Sequence, residues 1–343
     1  MRRAVELSRR GERTTRPNPV VGAVVLDAAG AVAGEGWHER AGGPHAEIVA
    51  LRAAGDRARG GTMVVTLEPC NHTGRTGPCS TALVEAGVRR VVHAVDDPTA
   101  TAGGGADTLR AAGIEVEGGV LPEEAERANA RWLTVARLHR PFVVWKVAAT
   151  LDGRVAAADG TSRWISSPQS RSDTHDLRAT CDTIVVGVGT VLADDPHLTV
   201  RDAEGCVTGE QPLRVVVDTH GRTPSEARVR DAAADTWIAT AAETGADVTG
   251  HVDLAALLAL LHARGRQHVL LEGGPTLAGA FLRAGLVDRV VAYLAPTLLG
   301  DGRPALAGTG VRTLSDGIAL DIDDVRRVGP DVRITARPLR REA

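Results

Sequence analysis

Short β-rich runs alternate with helical runs along almost the whole chain, and this alternation restricts the fold more than any other feature. In the first third, Pro19–Leu26, Met63–Leu67, Val91–Val95 and Ile114–Glu117 read as strands. Between them His45–Ala54, Cys79–Ala86 and Asp107–Ala112 read as helices, and a long amphipathic helix is expected over Glu123–Arg137. Strands spaced by helices of this length predict an α/β layer structure with a largely parallel sheet. Arg140–Pro141 punctuates the pattern, which restarts with the apolar run Phe142–Ala149. Thr183–Val188, Leu213–Asp218, Thr236–Ala239, His268–Glu272, Arg289–Leu294 and Val332–Arg337 read as further strands. Asp253–Ala263 and Leu277–Ala284 read as helices, and Arg201–Gln211 and Thr240–Val252 as exposed loops. A chain of 343 residues exceeds what one core organises. The expectation is two α/β domains, residues 1–139 and 140–343.

Composition removes several function classes. Lys plus Arg number 40 against 43 Asp plus Glu, so a basic surface for nucleic acid is not spread over the chain. Aromatics are only 2%, too few for a platform of stacked bases, and the cores must be built from small aliphatic side chains. The longest apolar stretches, such as Leu254–Leu261, fall short of a membrane span. Met1–Glu6 carries basic residues with no apolar run behind them, so no signal peptide is read. Four cysteines in a chain this long do not form a disulfide framework. A reduced, soluble, cytoplasmic enzyme is expected.

The chemistry concentrates first at His45-Ala46-Glu47, Pro69-Cys70 and Pro78-Cys79. One imidazole and two thiolates suit zinc, with a fourth position left for water. Side chains in the first helical turn lean toward the N-terminus, so His45 and Glu47 can both face a metal beyond the helix end. The positive field of a helix start favours the thiolates of Cys70 and Cys79. Zinc lowers the pKa of bound water to about 7, and Glu47 is placed to take that proton and return it to a leaving amine. A structural zinc is the alternative, and it would require a fourth protein ligand, His72 or His38. The His-x-Glu…Pro-Cys…Cys arrangement resembles the zinc-dependent nucleoside and nucleobase deaminases. Here, however, the interval between the cysteines is longer, and it supplies His72 and Arg75 on a loop able to cover the pocket.

The run Thr66-Leu67-Glu68-Pro69-Cys70-Asn71-His72-Thr73-Gly74-Arg75-Thr76-Gly77-Pro78-Cys79 is similar to the bifunctional riboflavin-biosynthesis deaminase–reductase family. Pro17-Asn18-Pro19-Val20-Val21-Gly22 and the segment from Gly36-Trp37-His38 to His45-Ala46-Glu47 match as well. So do Lys146 to Arg154, Trp164-Ile165-Ser166-Ser167, Thr190 to Thr199, and Glu272 to Gly279. Asn71 and Thr150 stand where the family usually has Ser, and Asp97-Pro98-Thr99-Ala100 departs from its usual turn. None of these touches a metal ligand. The resemblance implies a cytidine-deaminase-like α/β/α domain followed by a dihydrofolate-reductase-like domain, with zinc and NADPH as cofactors and a dimer or tetramer as the assembly. It implies hydrolytic removal of an amine from a phosphoribosylamino-pyrimidine, then reduction of the ribosyl unit to ribityl.

Candidate site residues follow from position on the chain in the first domain and from the same resemblance in the second. In the deaminase, Arg75 would take the phosphate, while Asn18, His38 and His72 would bind ring or ribose polar groups. Asn18 between two prolines could instead fix a turn, His38 with Trp37 could be strand-end packing, and Arg75 could be a solvated loop charge. In the reductase, Lys146 and Asp194 would stand nearest the chemistry, with Asp194 on a loop. Ser162, Arg178, Leu198, Arg201 and Glu272 would bind substrate, Arg178 and Arg201 suiting its phosphate, although either could be a surface ion pair. Ala148, Trp164, Thr190, Asp194 and Thr219 would contact NADPH, together with Gly274, Pro275, Thr276, Leu277, Ala278, Gly279 and Ala280. The chain lacks a Gly-x-Gly-x-x-Gly after a strand. Gly273-Gly274 and Gly187-Val188-Gly189 after two strands would let backbone and helix starts approach a pyrophosphate. Cys181 and Cys206 are read as structural or incidental, and His175 as a helix-surface residue.

Overall fold

The computed structural model describes residues 1–72 and 77–339. It divides into two compact units, Met1–His139 and Arg140–Ala343. In the first unit the strands are β1 (Gly22–Leu26), β2 (Val32–Trp37), β3 (Thr62–Leu67), β4 (Arg90–Val95) and β5 (Glu115–Glu117). The helices are α1 (Arg2–Ser8), α2 (Ala46–Ala54), α3 (Cys79–Glu85), α4 (Gly105–Ala111), α5 (Pro122–Ala128) and α6 (Ala130–Leu138). The sheet runs in the order β2-β1-β3-β4-β5.

This sheet is mixed rather than largely parallel: β1 is antiparallel to both β2 and β3, and only β3, β4 and β5 are parallel. Strand β2 was not expected, and its glycines are the reason. A Cβ on Gly34 would lie 2.4 Å from the Ala50 carbonyl oxygen, and one on Gly36 would lie 2.5 Å from the Ala50 nitrogen. Helix α2 therefore rests directly on the strand backbone, where only glycine fits. The single helix expected over Glu123–Arg137 is two helices. Asn129 leaves helical geometry at φ −106°, ψ 16°, and its buried Oδ1 accepts a hydrogen bond from the Val20 N–H. The core is small aliphatic throughout, with Val25, Met63, Val65, Leu83 and Leu109 fully enclosed.

The second unit has β6 (Phe142–Thr150), β7 (Arg154–Ala156), β8 (Thr183–Gly187), β9 (Leu213–Val217), β10 (Thr236–Ala239), β11 (His268–Leu271), β12 (Arg289–Ala295), β13 (Arg303–Pro304), β14 (Leu320–Val328) and β15 (Asp331–Pro338). Its helices are α7 (Pro168–Ala179), α8 (Val188–Asp194), α9 (Ala241–Thr244), α10 (Leu254–Ala263) and α11 (Pro275–Arg283). Eight strands form one sheet in the order β10-β9-β8-β11-β6-β12-β15-β14, and β7 pairs with β13 apart from it. Pairing is parallel from β10 through β12 and antiparallel across β12-β15-β14.

Strand β14 was not expected either. It is an edge strand, exposed along most of its length, and its register shifts between Ile322 and Asp324, so the alternation that marks a half-buried strand is broken. The segment Thr240–Val252 is not wholly an exposed loop, because it contains α9 and buries Thr244 and Val252. In the middle of β9, Arg214 is fully buried. It is held by Asp231 Oδ1 at 2.7 Å, by the carbonyls of His197 and Asp231 at 3.1 and 2.6 Å, and by the Ala234 carbonyl. Among the described residues, no helix is long and apolar enough to cross a membrane.

Candidate active sites

In the first unit, three chain segments deliver donor atoms to one point. His45 caps α2 in extended geometry, so its ring swings beyond the helix end. Cys70 follows the end of β3, and Cys79 opens α3 after Pro78. His45 Nδ1 lies 3.4 Å from Cys70 Sγ and 3.3 Å from Cys79 Sγ, and the three donors lie within 4.8 Å of one another. Zinc bonds of roughly 2.3 Å to sulfur and 2.0–2.1 Å to nitrogen at tetrahedral angles place such donors about 3.5 Å apart. The set fits that ion. Contact with Cys79, reinforced by His45 and the Cys79 N–H, brings the Cys70 thiol down to about 4, and the same contact pushes Cys79 up.

Among the described residues no fourth donor joins the three. His38 is buried with both ring nitrogens engaged, Nδ1 toward the Pro44 carbonyl at 2.9 Å and Nε2 toward Asn18 Nδ2 at 3.0 Å. Its ring meets the His45 ring edge-on at 5.6 Å, and burial lowers its pKa. His38 thus packs against a ligand and holds Asn18. His72 is exposed. A three-donor set is the pattern of a catalytic zinc, not of a closed structural one. Glu47, in the first turn of α2, is 3% exposed, and burial raises its carboxyl against the pull of His45. Arg75 lies outside the described residues.

Glu68 organises this loop, and its part was missed in the sequence. Its buried carboxylate accepts hydrogen bonds from Asp97, Gly104 and Ala106 N–H groups at 3.1, 3.1 and 2.9 Å, which pins the start of α4 beside Pro69-Cys70. A Cβ on Gly105 would lie 1.8 Å from the Pro69 carbonyl oxygen. The glycines Gly103, Gly104 and Gly105 at that helix start were the available signal; the contact from Glu68 to Ala106 spans 38 residues, beyond any spacing rule.

In the second unit a cleft of about 1580 Å³ opens at the carboxyl ends of the parallel strands. It is lined by Lys146 and Ala148 of β6, by Ser162 and Trp164, and by Thr190 and Asp194 of α8. Arg178, Leu198, Arg201, Thr219 and Glu272 line it too, as do Gly274, Pro275, Thr276, Leu277 and Ala280 at the start of α11. Ala278 and Gly279 do not. Ala278 is fully buried in the core, and a Cβ on Gly279 would strike the Ala307 carbonyl oxygen at 1.8 Å, so this glycine serves helix packing. Asp194 ends a helix rather than sitting on a loop, and Arg163 bonds its carbonyl at 2.5 Å. Leu198, buried, adopts a left-handed φ of 52° that a branched side chain tolerates poorly.

Arg178 does not present a free fork to the cleft. Its Nε and Nη2 bond both Glu272 oxygens at 2.6 and 2.9 Å, and Nη1 bonds the Thr199 carbonyl at 2.9 Å. Burial opposes ionisation of Glu272, yet Arg178, helped by Lys146, brings it to about 2. Burial lowers Lys146, with Glu272 opposing. Arg201 spends Nε on Thr199 Oγ1 at 3.0 Å. His175 is not a surface residue: it is half-buried, lines the cleft, and its Nδ1 accepts the Arg201 N–H at 3.1 Å. The glycine turns after β8 and β11 lie side by side, with Thr190 Oγ1 3.8 Å from where a Gly274 Cβ would be. A cleft this large, bordered by bare glycine turns and the start of α11, fits a dinucleotide.

Fold and sites together define a zinc-type deaminase unit followed by a dinucleotide-dependent reductase unit. Comparison with known proteins agrees with this. Residues 1–95 match the cytidine and deoxycytidylate deaminase zinc-binding region, and residues 141–334 match the RibD C-terminal domain. The chain is 49% identical to the riboflavin biosynthesis protein RibD of Mycobacterium tuberculosis, over 97% of this chain and 94% of that one. It is 43% identical to RibD of Escherichia coli, over 97% and 96%. The solved structure of Acinetobacter baumannii RibD superposes with a TM-score of 0.80 at 37% identity, over 99% and 98% of the two chains. A deaminase/reductase from Thermotoga maritima does so with a TM-score of 0.80 at 34% identity, over 99% and 97%. The chain belongs to the RibD family. It is a bifunctional deaminase and reductase of riboflavin biosynthesis, with a zinc-binding deaminase region and an NADPH-dependent reductase domain.

Proposed function

We propose that residues 1–139 hydrolyse the amine from 2,5-diamino-6-(5-phosphoribosylamino)pyrimidin-4-one, and that residues 140–343 then reduce the ribosyl unit of the product to ribityl. His45, Cys70 and Cys79 hold the metal, which when bound supplies water acidic enough to lose its proton near neutral pH. Glu47 takes a proton from the attacking water and delivers it to the departing nitrogen, so that as the carbon–oxygen bond forms the carbon–nitrogen bond breaks, the oxygen stays on the ring carbon as a carbonyl and the amine leaves as ammonia. A carboxyl raised by burial is suited to both halves of that exchange. Asn18, His72 and Arg75 bind the substrate, and His38 acts on it through Asn18 and His45.

In the second unit NADPH, when bound along the cleft, would supply the hydride that carbon 1 of the opened ribose needs. Lys146, its ammonium made more acidic by burial, hands a proton to the ring oxygen as the ring opens. Glu272, locked by Arg178, keeps Lys146 oriented, while Arg201 binds the phosphate and Asp194 and Ser162 border the sugar. Trp164, Thr190, Thr219 and residues 274–277 with Ala280 border the cofactor. We place the enzyme in the cytoplasm as a homo-oligomer, a dimer or tetramer; none of its four cysteines is in a disulfide.

The observation that carries the reading is the spacing of the His45, Cys70 and Cys79 donors beside buried Glu47. The test follows ammonia and NADPH absorbance separately in purified protein given the substrate. Ammonia should appear without NADPH, and NADPH should be consumed only after it. NADPH consumption with no ammonia release would overturn the order of the two reactions.

A further inference from the structure

We infer that His175 is a positioning residue of the reductase, fixing the main chain at Arg201 so that the Arg201 guanidinium meets the substrate phosphate. The inference rests on the reading of Arg201 as the phosphate ligand of the second-unit cleft. The segment that carries Arg201 does not hold its own shape. It leaves α8 through Asp195 and Leu198, both at left-handed φ, 40° and 52°. Apart from a single bridge between Arg201 and Val207 it joins no strand. Its bonds come from elsewhere. Gln211 Oε1 accepts the Val200 N–H at 2.9 Å. Arg178 Nη1 donates to the Thr199 carbonyl at 2.9 Å, and His175 Nδ1 accepts the Arg201 N–H at 3.1 Å. His175 and Arg178 stand three residues apart on α7 and so share one helix face. Through them α7 grips the segment at two adjacent points.

Of the two grips, His175 bears on the arginine itself. Arg201 Nε is taken by Thr199 Oγ1 at 3.0 Å, and among the described residues neither Nη has a partner. Both Nη groups are left to a ligand in the cleft that Arg201 and His175 line. Where they point is set by a backbone N–H held by His175 and a side chain held at Nε.

The contact also fixes the proton on the imidazole. A nitrogen that accepts a backbone N–H carries no proton, so the neutral ring is protonated at Nε2. Burial, the largest influence, disfavours the imidazolium, and Arg178 and Arg201 act with it. Glu272 and the Thr199 carbonyl oppose them, and the balance leaves the pKa below its ordinary 6.5. The acceptor is therefore in place at neutral pH. Acid reverses the contact: a proton on Nδ1 faces the Arg201 N–H donor to donor, and the segment is released.

The test is steady-state reduction of the deamination product by the full-length protein, read as KM and kcat between about pH 5 and 8. Calorimetric NADPH binding and thermal unfolding serve as controls. His175→Phe keeps a ring and loses the acceptor. It should raise KM by roughly 3- to 10-fold, with kcat and NADPH affinity changed by less than about 2-fold. His175→Asn offers an amide oxygen that takes up no proton in this range, and it should hold KM near the wild-type value at neutral pH. Below pH 6.5 the wild-type KM should climb more steeply than that of His175→Asn. The substrate phosphate titrates near pH 6, but it does so equally for both proteins. Arg201→Gln should raise KM by about 10-fold or more, and adding His175→Phe to it should raise KM little further. The inference fails, and the phosphate reading stands, if His175→Phe keeps the wild-type KM or if its effect adds in full to that of Arg201→Gln. It fails equally if wild type and His175→Asn share one pH profile. If Arg201→Gln leaves KM unchanged, Arg201 is not the phosphate ligand and the inference falls with that reading.

Discussion

Replacing Arg178 by Met should separate a stabilising clamp from a phosphate ligand. Glu272 lies at about 2 against an ordinary 4.5, with side-chain exposures of 15% for Arg178 and 12% for Glu272. At about 1.4 kcal/mol per pH unit, the shift corresponds to roughly 3 kcal/mol of folded-state stability. Breaking a buried pair by removing one partner costs about 3–5 kcal/mol on independent grounds, so the two routes agree. Because the folded-state value is depressed, the contribution is complete above pH 4.5 and drains away as the pH falls to about 2. In Arg178→Met the second unit should therefore lose roughly 3 kcal/mol at pH 7, and the stability slope across that acid window should disappear. Hydrogen exchange at the β8 and β11 amides of the full-length protein in urea reads both effects. Arg178→Met combined with Glu272→Met should recover most of the loss, since an apolar pair of similar volume replaces the ionic one. A variant that keeps wild-type exchange protection, while the reductase KM for substrate rises, would show that Arg178 is spent on the ligand instead, and the clamp would be refuted.

Glu47→Gln should reduce ammonia release by about 100-fold or more while leaving zinc content near one per chain by metal analysis. Retained ammonia release would remove the proton-transfer role. Stripping the metal with a chelator should abolish ammonia release and leave calorimetric NADPH binding unchanged, with zinc addition restoring the activity. Gly105→Ala forces a methyl against the Pro69 carbonyl oxygen, an overpacking that costs about 1–3 kcal/mol. Its signature should be a lower zinc affinity in competition with a chromogenic chelator, because the displaced backbone leads straight into Cys70.

Much of the fold could be read directly from residue patterns, and the exceptions share a cause. Strand β10 and the starts of α2, α3 and α10 carry local signals: β-branched runs, Pro78 before Cys79, and Asp253 accepting from Ala255 and Ala256. Strand β2 carries none, because its glycines answer to a helix packed on them from elsewhere in the chain. Asn129 interrupts a helix because of a hydrogen bond to Val20, 109 residues away. The sites divide along the same line. His45, Cys70 and Cys79 announce themselves by residue type at element ends. The engagement of Arg178 with Glu272 spans 94 residues, and no spacing rule reaches that far. Ala278 and Gly279 sit in a segment whose neighbours face the cleft, and only the helical phase of α11 turns them inward. His175 stands in a polar helix whose sequence marks no buried face, and it is the Thr199–Arg201 backbone, distant in the chain, that roofs this side.

The strand order also governs the timing of assembly on the ribosome. Every ladder of the five-stranded sheet is complete once residue 117 has been made, so the metal-binding half can close while the rest is still being translated. The larger sheet has the opposite character. Its central strand, β6, is made first, yet must wait for β11 and β12, more than a hundred residues downstream, to flank it. Until then a nine-residue, mostly apolar ribbon stands bare, and the nascent chain is most vulnerable to wrong pairings across that interval.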